Sequence, residues 1–290
     1  MRVGFIGFGE AGFSFALGLH EEGVTDISCY DALQDSPDFS DEMDRRVAAC
    51  GGVKQSSPAE VCRNSDLVIA AVPADSAVVV AKEAAPGVWK GLLYVDVTTA
   101  TPIEKRLVAK IVEEKGGFAA DGAMMGALLK DKHQVPMLLS GKGATEVHKT
   151  LFRYHARTEV VEGEAGTATG IKFIRSITAK GISCLLIESL QAAQRFGVEE
   201  LIVDSFLDSY GSQFLNIINS YVSGAIIHAN RREHEMKNVV DFLQSESLPS
   251  TMAEATRQKL QWLRDERVKD NFTNGVPREW RGVLEEWKLN

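Results

Sequence analysis

Three glycines near the start of the chain restrict its fold more than any other feature. An apolar run over residues 2–7 leads into Gly7, Phe8, Gly9, Glu10, Ala11 and Gly12, and a helical pattern over residues 11–20 follows at once. In a G-x-G-x-x-G loop between a strand and a helix, each glycine has its own physical duty. The first makes the tight turn, the second lets backbone N–H groups approach a pyrophosphate, and the third lets helix and strand pack closely. The helix start then offers unpaired donors and partial positive charge to the phosphates. A glycine-rich turn alone is a weak signal. The strand-loop-helix context makes it a dinucleotide cradle.

The rest of the first half alternates strands with helices. Strand-like runs lie at residues 26–30, 67–72, 92–97, 117–120, 135–140 and 158–161, with helical patterns at 76–84 and 103–115 among them. Several runs are almost continuously apolar, as expected where helices cover both faces of a parallel sheet. Residues 1–163 are therefore read as an α/β Rossmann domain with a doubly wound, mostly parallel sheet. Past residue 163 strand signals vanish. One long helical pattern spans 166–196, and further ones follow at 199–210, 212–220, 235–245 and 251–267. Residues 164–290 are expected to form an all-α domain, and a length of 290 residues fits two domains.

Asp31 closes the second strand-like run, about 20 residues beyond the glycine loop, where a ribose-binding acid is expected. Its carboxylate can accept from ribose hydroxyls and repels a 2′-phosphate; the other reading is that it only begins a turn. Ala32 to Asp35 contain no cation, and basic residues first return at Arg45. NAD is accordingly expected over NADP. Val72 and Pro73 follow the next strand, at the sheet edge where ligands of open α/β folds bind. Thr98 and Thr99 end the strand after that. Either they reach the nicotinamide ribose or substrate, or they cap the helix that begins near Pro102.

A net charge of −8 argues against a nucleic-acid surface. No run of about 18 apolar residues is present, and the first strand is too short for a signal peptide, so no membrane span is expected. Cys29, Cys50, Cys62 and Cys184 are scattered without a CxxC pair, and no histidine stands at metal-ligand spacing. This argues for free thiols in a reducing, cytoplasmic compartment and for no metal.

Lys172 lies two turns into the long helical pattern. By itself it reads as a solvated helix lysine. Gly163, Gly166 and Gly170 line its approach, and Ile171, Phe173 and Ile174 flank it, while Ser176 falls four residues on, on the same helix face. A lysine so placed can be desolvated, with a lowered pKa suited to proton transfer near neutral pH.

With these segments the chain resembles the β-hydroxyacid dehydrogenase family, which includes 6-phosphogluconate and 3-hydroxyisobutyrate dehydrogenases. The resemblance runs over nearly the whole chain. It rests on the glycine loop, on Asp96 to Pro102 as the D-x-S-T-x-x-P segment, on Asp121 to Ala127 as an altered D-A-P-V-S-G-G loop, and on Gly166 to Ser176 as the K-x-x-x-N helix. It implies that Lys172 is the general acid/base and Ser176 its helical companion. Met124, Met125, Gly126 and Arg175 would then bind a small anionic hydroxy acid or its keto or semialdehyde partner. Met125 stands where the family has serine, Ala127 where it has glycine and Ser176 where it has asparagine, so the substrate side is rebuilt; Arg175 or Lys180 are alternative anion clamps. A divergent branch with a distinct helical C-terminal domain is the nearer match. By a loose alignment His234 takes the slot of a lysine that borders the cofactor in relatives. The helical domain is expected to form a homodimer, with His228, Arg231 and Arg232 either a solvated face or a contribution to the partner's site. An imine reductase-like enzyme and a non-catalytic nucleotide sensor are the competing readings.

Overall fold

The computed structural model describes residues 1–126 and 128–287. The chain divides into two compact units, Met1–Lys172 and Phe173–Asn290.

Strands of the first unit are β1 Arg2–Ile6, β2 Asp26–Tyr30, β3 Val53–Lys54, β4 Leu67–Ala70, β5 Leu93–Asp96, β6 Phe118–Met124, β7 Met137–Ser140 and β8 Thr158–Val160. They form one eight-stranded sheet in the order β3-β2-β1-β4-β5-β6-β7-β8. Neighbours from β3 across to β6 are parallel, β7 runs antiparallel to β6, and β8 pairs parallel with β7. The strand order reverses between β1 and β4, and such a switch point opens a crevice at the strands' carboxyl ends. Its helices are α1 Glu10–Glu21, α2 Ser40–Ala49, α3 Pro58–Arg63, α4 Ala77–Ala84, α5 Pro102–Glu113, α6 Leu128–Asp131 and α7 Ala144–Phe152. Then α8, Thr167–Phe196, begins within the first unit.

Side-chain alternation explains why the strands read as unbroken apolar runs. Val3 and Phe5 of β1, with Leu67 and Ile69 of β4, enter one buried cluster; Ile6, Val68 and Ala70 enter the other. Both faces are covered, so the central positions of these two strands carry no polar side chain.

The sheet also shows where short-range patterns failed. β3 is two exposed residues on the β2 edge, too short to show any period. α2 is mostly polar and buries only Met43 and Val47, one turn apart. The run expected to stop at residue 120 continues to Met124, because β7 pairs with Asp121 through Met124 and overrides the glycine at 122. The cap of α5 is Thr101 rather than Thr98 or Thr99: it forms a capping box with Glu104, and Pro102 fills the first turn.

The second unit holds the remainder of α8 and α9 Glu199–Tyr210, α10 Phe214–Ile227, α11 Ala229–Ser245, α12 Thr251–Asp265 and α13 Trp280–Glu286. Ile187, Leu190, Ile218, Val222, Met236, Val239, Leu260 and Trp280 build its core. α11 starts six residues before the expected residue 235, its charged first turns having hidden it. No helix among the described residues is long and apolar enough to cross a membrane.

His133 couples this packing to pH. Its Nε2 lies 2.8 Å from the Tyr154 carbonyl, its Nδ1 is buried without a hydrogen-bond partner among the described residues, and a Cβ on Gly18 would fall 2.2 Å from that nitrogen. Burial holds the imidazole pKa below its ordinary 6.5. As pH falls, the unfolded chain therefore takes up a proton before the folded one does, and stability declines from 6.5 down to the lowered value. His228 adds a dependence of the same sign. The melting temperature is expected to fall as pH drops from about 7.5 to about 5. His133→Gln, whose amide can still meet Tyr154, should flatten that slope; a slope unchanged in the variant would assign it elsewhere.

Candidate active site

The glycine loop adopts the geometry its spacing demands. Gly7 has φ +86°, and a Cβ there would lie 2.5 Å from the Ala71 carbonyl oxygen. A Cβ on Gly12 would lie 2.1 Å from the Gly7 oxygen, whereas one on Gly9 would meet nothing within 4 Å. Backbone packing thus dictates the first and third glycines, and open space stands at the second. Gly9 is also the N-cap of α1 and has no side chain to satisfy its first-turn donors. These are the features a pyrophosphate requires. Phe8 contributes only its backbone, since its ring is buried against Phe5 and Phe13. Glu10 is exposed in the first turn and Ala11 half-buried behind it.

Asp31 ties the glycine loop to the turn that follows β2. Its Oδ2 accepts from the Phe8 N–H at 2.7 Å, which ties β2 to the cradle, and its Oδ1 accepts from Leu33 N–H at 2.9 Å, which starts the turn. A carboxylate offers about four lone-pair sites, so it can still accept from ribose hydroxyls. The basic residues lie nearer than sequence distance implied. Arg46 on α2 folds back to donate to the Phe8 carbonyl at 2.9 Å. Its guanidinium is held by Glu42 at 2.7 Å and lies over the rings of Phe13 and Phe39.

At the β4 end Val72 flanks Gly7, with its Cγ1 2.8 Å from the place of a Gly7 Cβ, and Pro73 is exposed beyond it. At the β5 end Thr98 is buried, donates its N–H to Asp96 Oδ1 at 2.9 Å and accepts from Ala100 N–H; Thr99 is half-buried. In the altered loop Met124 ends β6, the Met125 N–H donates to Pro136 O at 2.7 Å, and Gly126 packs near Pro136 and Val135. Ala127 lies outside the described residues.

A buried polar network ties the ends of β5 and β6 to the start of α8. Lys105, on the buried face of α5, donates to the Asp96 carbonyl at 2.7 Å and pairs with the carboxylates of Asp96 at 3.2 Å and Asp121 at 3.5 Å. Asp121 Oδ2 accepts from the N–H groups of Gly166 at 3.0 Å and Thr169 at 2.9 Å, and its Oδ1 from the Thr169 hydroxyl at 2.6 Å. Ser140 Oγ of β7 accepts from Ala168 N–H at 3.0 Å. The orphan donors at a helix start are thus satisfied by side chains of two strands. An anion at that end also favours the helix dipole. Lys172, half-buried, stands three residues beyond Thr169, after Gly170 and Ile171. Its expected apolar surround is thinner than the sequence implied: Ile171 and Ile174 are exposed, and Phe173 enters the core of the second unit.

Sequence reading missed Lys105, Ser140 and Thr169. The available signal was a lysine at a position of α5 otherwise filled by Pro102, Val108, Ala109 and Val112 on the buried side.

In the second unit Arg175 is exposed, and Ser176 Oγ accepts from Lys180 at 2.9 Å. Lys180 also pairs with Glu235 at 2.9 Å. His234 is exposed on α11, its Nδ1 2.8 Å from the Asn230 carbonyl of its own helix.

Comparison with known proteins agrees with this architecture. Residues 2–100 match the family described as NADP oxidoreductase, coenzyme F420-dependent, and residues 193–263 match a domain of unknown function, DUF1932. Over 258 residues the chain is 30% identical to an uncharacterized 28.5 kDa protein of Methanothermus fervidus, covering 89% of this chain and 96% of that protein. A conserved protein of unknown function, whose structure revealed similarity with 3-hydroxyacid dehydrogenases, is 33% identical and superposes with a TM-score of 0.77 over 92% of this chain and 98% of its own. Mouse mitochondrial 3-hydroxyisobutyrate dehydrogenase is 32% identical over 130 residues, which span 43% of this chain and 36% of that enzyme. The chain belongs to the β-hydroxyacid dehydrogenase-like superfamily of NAD(P)-dependent oxidoreductases, in a divergent branch with a distinct helical C-terminal domain.

Proposed function

We propose that this oxidoreductase is an NAD-dependent dehydrogenase that interconverts a small hydroxy acid and its keto or semialdehyde partner. The observation that carries the reading is the pinning of the α8 start by Asp121 and Ser140, which fixes Lys172 within the unit that holds the glycine cradle.

Gly7 to Gly12 would hold the pyrophosphate and Asp31 the adenosine ribose, and the open space at Gly9 fits that group. When bound, nicotinamide supplies the hydride chemistry. Lys172 takes the hydroxyl proton at Nζ during oxidation and returns it to the carbonyl oxygen during reduction. A mostly reducing compartment suits the free thiols of all four cysteines. Assembly as a homodimer through the helical unit belongs to the same reading, supported by the exposed apolar side chains Leu185, Phe196, Leu201 and Tyr210 on α8 and α9.

Coenzyme choice tests the Asp31 assignment. NADH is expected to bind at least about 10-fold more tightly than NADPH, a difference of about 1.4 kcal/mol, measured by quenching of tryptophan fluorescence. Asp31→Ser should narrow the gap by removing the charge that opposes a 2′-phosphate. Tighter binding of NADPH by the unaltered protein would overturn the assignment.

A further inference from the structure

In the second unit one cluster carries more cationic charge than its carboxylate neutralises. Among the described residues the guanidinium of Arg232 on α11 makes a single hydrogen bond, from Nη1 to Ser183 Oγ at 3.3 Å, and no carboxylate lies within 4.0 Å of it. That serine hydroxyl is itself fully buried and donates to the Tyr221 carbonyl at 2.6 Å, so it can only accept from the arginine. Glu235 is the carboxylate nearest the cluster, and it already pairs with Lys180 at 2.9 Å and Arg231 at 3.9 Å. His228 stands beside these groups at the α10–α11 junction, and the charges of Arg231 and Arg232, added to burial, hold its pKa down.

The arrangement is built rather than incidental. Gly224 of α10 leaves the room for the guanidinium: a Cβ there would lie 2.8 Å from Nη2 of Arg232. The Lys180 side chain is only 12% exposed. Burial is the leading cause that depresses both the Lys180 ammonium and the Arg232 guanidinium below their ordinary pKa values. Charges taken out of water are as a rule paired or ligand-bound. An arginine has five N–H donors in a planar fork that matches a carboxylate or phosphate edge, and only one is used here.

We propose that Arg232 and Lys180, with Ser176 and Ser183 beside them, form a binding site for the oxyanion of a small molecule, a carboxylate or a phosphate-type group. Lys172, Ser176 and Lys180 recur every four residues along α8, on one helix face. A substrate of the dehydrogenase reading above would supply such an anionic group; the binding itself does not rest on that reading.

Isothermal titration of the full-length protein with inorganic phosphate, and separately with malonate, at fixed ionic strength tests the site without turnover. Saturable binding of at least one anion is expected. Arg232→Met should weaken it by at least about 10-fold, and Lys180→Gln by less, since a point charge is lost rather than a bidentate fork. Circular dichroism melts confirm that each variant is folded, and Lys180→Gln carries the test should Arg232→Met not fold. Stronger binding of phosphate supports a phosphorylated substrate, and stronger binding of malonate a dicarboxylic one. Absence of saturable binding for both anions, or affinities in folded variants equal to the unaltered protein, overturns the proposal. Anion binding should survive Lys172→Ala, so failure of the site and failure of the lysine mechanism remain distinguishable.

Discussion

Lys172→Ala is expected to lower kcat by about 10²–10⁴-fold, the usual contribution of a positioned general acid/base, with NADH affinity within about twofold of the unaltered protein. The lysine lies past the helix turn held by Asp121 and Ser140, whereas the cofactor cradle consists of backbone from Gly7 to Gly12 and the Asp31 carboxylate. Removing the ammonium should therefore remove proton transfer and spare dinucleotide binding. Lys172→Arg keeps a positive charge but puts a guanidinium, which does not release its proton in proteins, where proton transfer is needed, and it should not restore the rate. Steady-state kinetics beside a fluorescence titration of NADH separates the two effects. A fully active Lys172→Ala enzyme would assign proton transfer to another group.

Asp121→Ala carries the largest expected cost in stability. It strips one of the two carboxylates from Lys105, whose side chain is 0% exposed, and deprives Gly166, Thr169 N–H and the Thr169 hydroxyl of their acceptor at once. Breaking a buried pair by removing one partner costs about 3–5 kcal/mol. Orphaned buried donors add to this, each by about 1–3 kcal/mol before relaxation and water entry. Asp121→Asn should be milder, because its carbonyl oxygen can still accept from the helix start. Urea denaturation should show a midpoint shift equivalent to at least about 3 kcal/mol for the alanine variant. A loss below about 1 kcal/mol would mean that the α8 start is held by other contacts. In a variant that remains folded, catalysis should suffer more than NADH binding, because the displaced helix carries Lys172 and not the cradle.

The two features differ in how well the sequence displays them. The cradle was legible because its pattern is local: three glycines, one strand and one helix start lie within the first twelve residues, and Gly12 closes on the Gly7 oxygen, although the contact that dictates Gly7 comes from Ala71 after β4. The central strands β1 and β4 were legible for a similar reason, since cover on both faces of a parallel sheet makes such strands mostly apolar. Lys105 was not. Its carboxylate partner Asp121 and the helix start that Asp121 holds, at Gly166 and Thr169, are brought together only by the β5–β6 pairing and the return of the chain through β7 and β8. Arg46 escaped for the same reason: counted along the chain it is remote from the glycine loop, yet α2 returns it to the Phe8 carbonyl. The same limit applies to Arg232, which reads as a surface cation in sequence. Only its half-burial beside Ser183, and the room left by Gly224, set it apart from a solvated cation.

Hydride transfer itself can be followed by label. The intact protein, supplied with NADH deuterated at the nicotinamide C4 and a panel of small keto acids and semialdehydes, some with a second carboxylate or a phosphate, should yield a hydroxy acid. Mass spectrometry should place one deuterium on its carbinol carbon, and Lys172→Ala should abolish that incorporation. Binding of NADH without label in any hydroxy acid, or label found only on amine carbons when ammonia or amines are added, would contradict a hydroxy-acid dehydrogenase. The first outcome would leave a nucleotide sensor, and the second an imine-reducing enzyme.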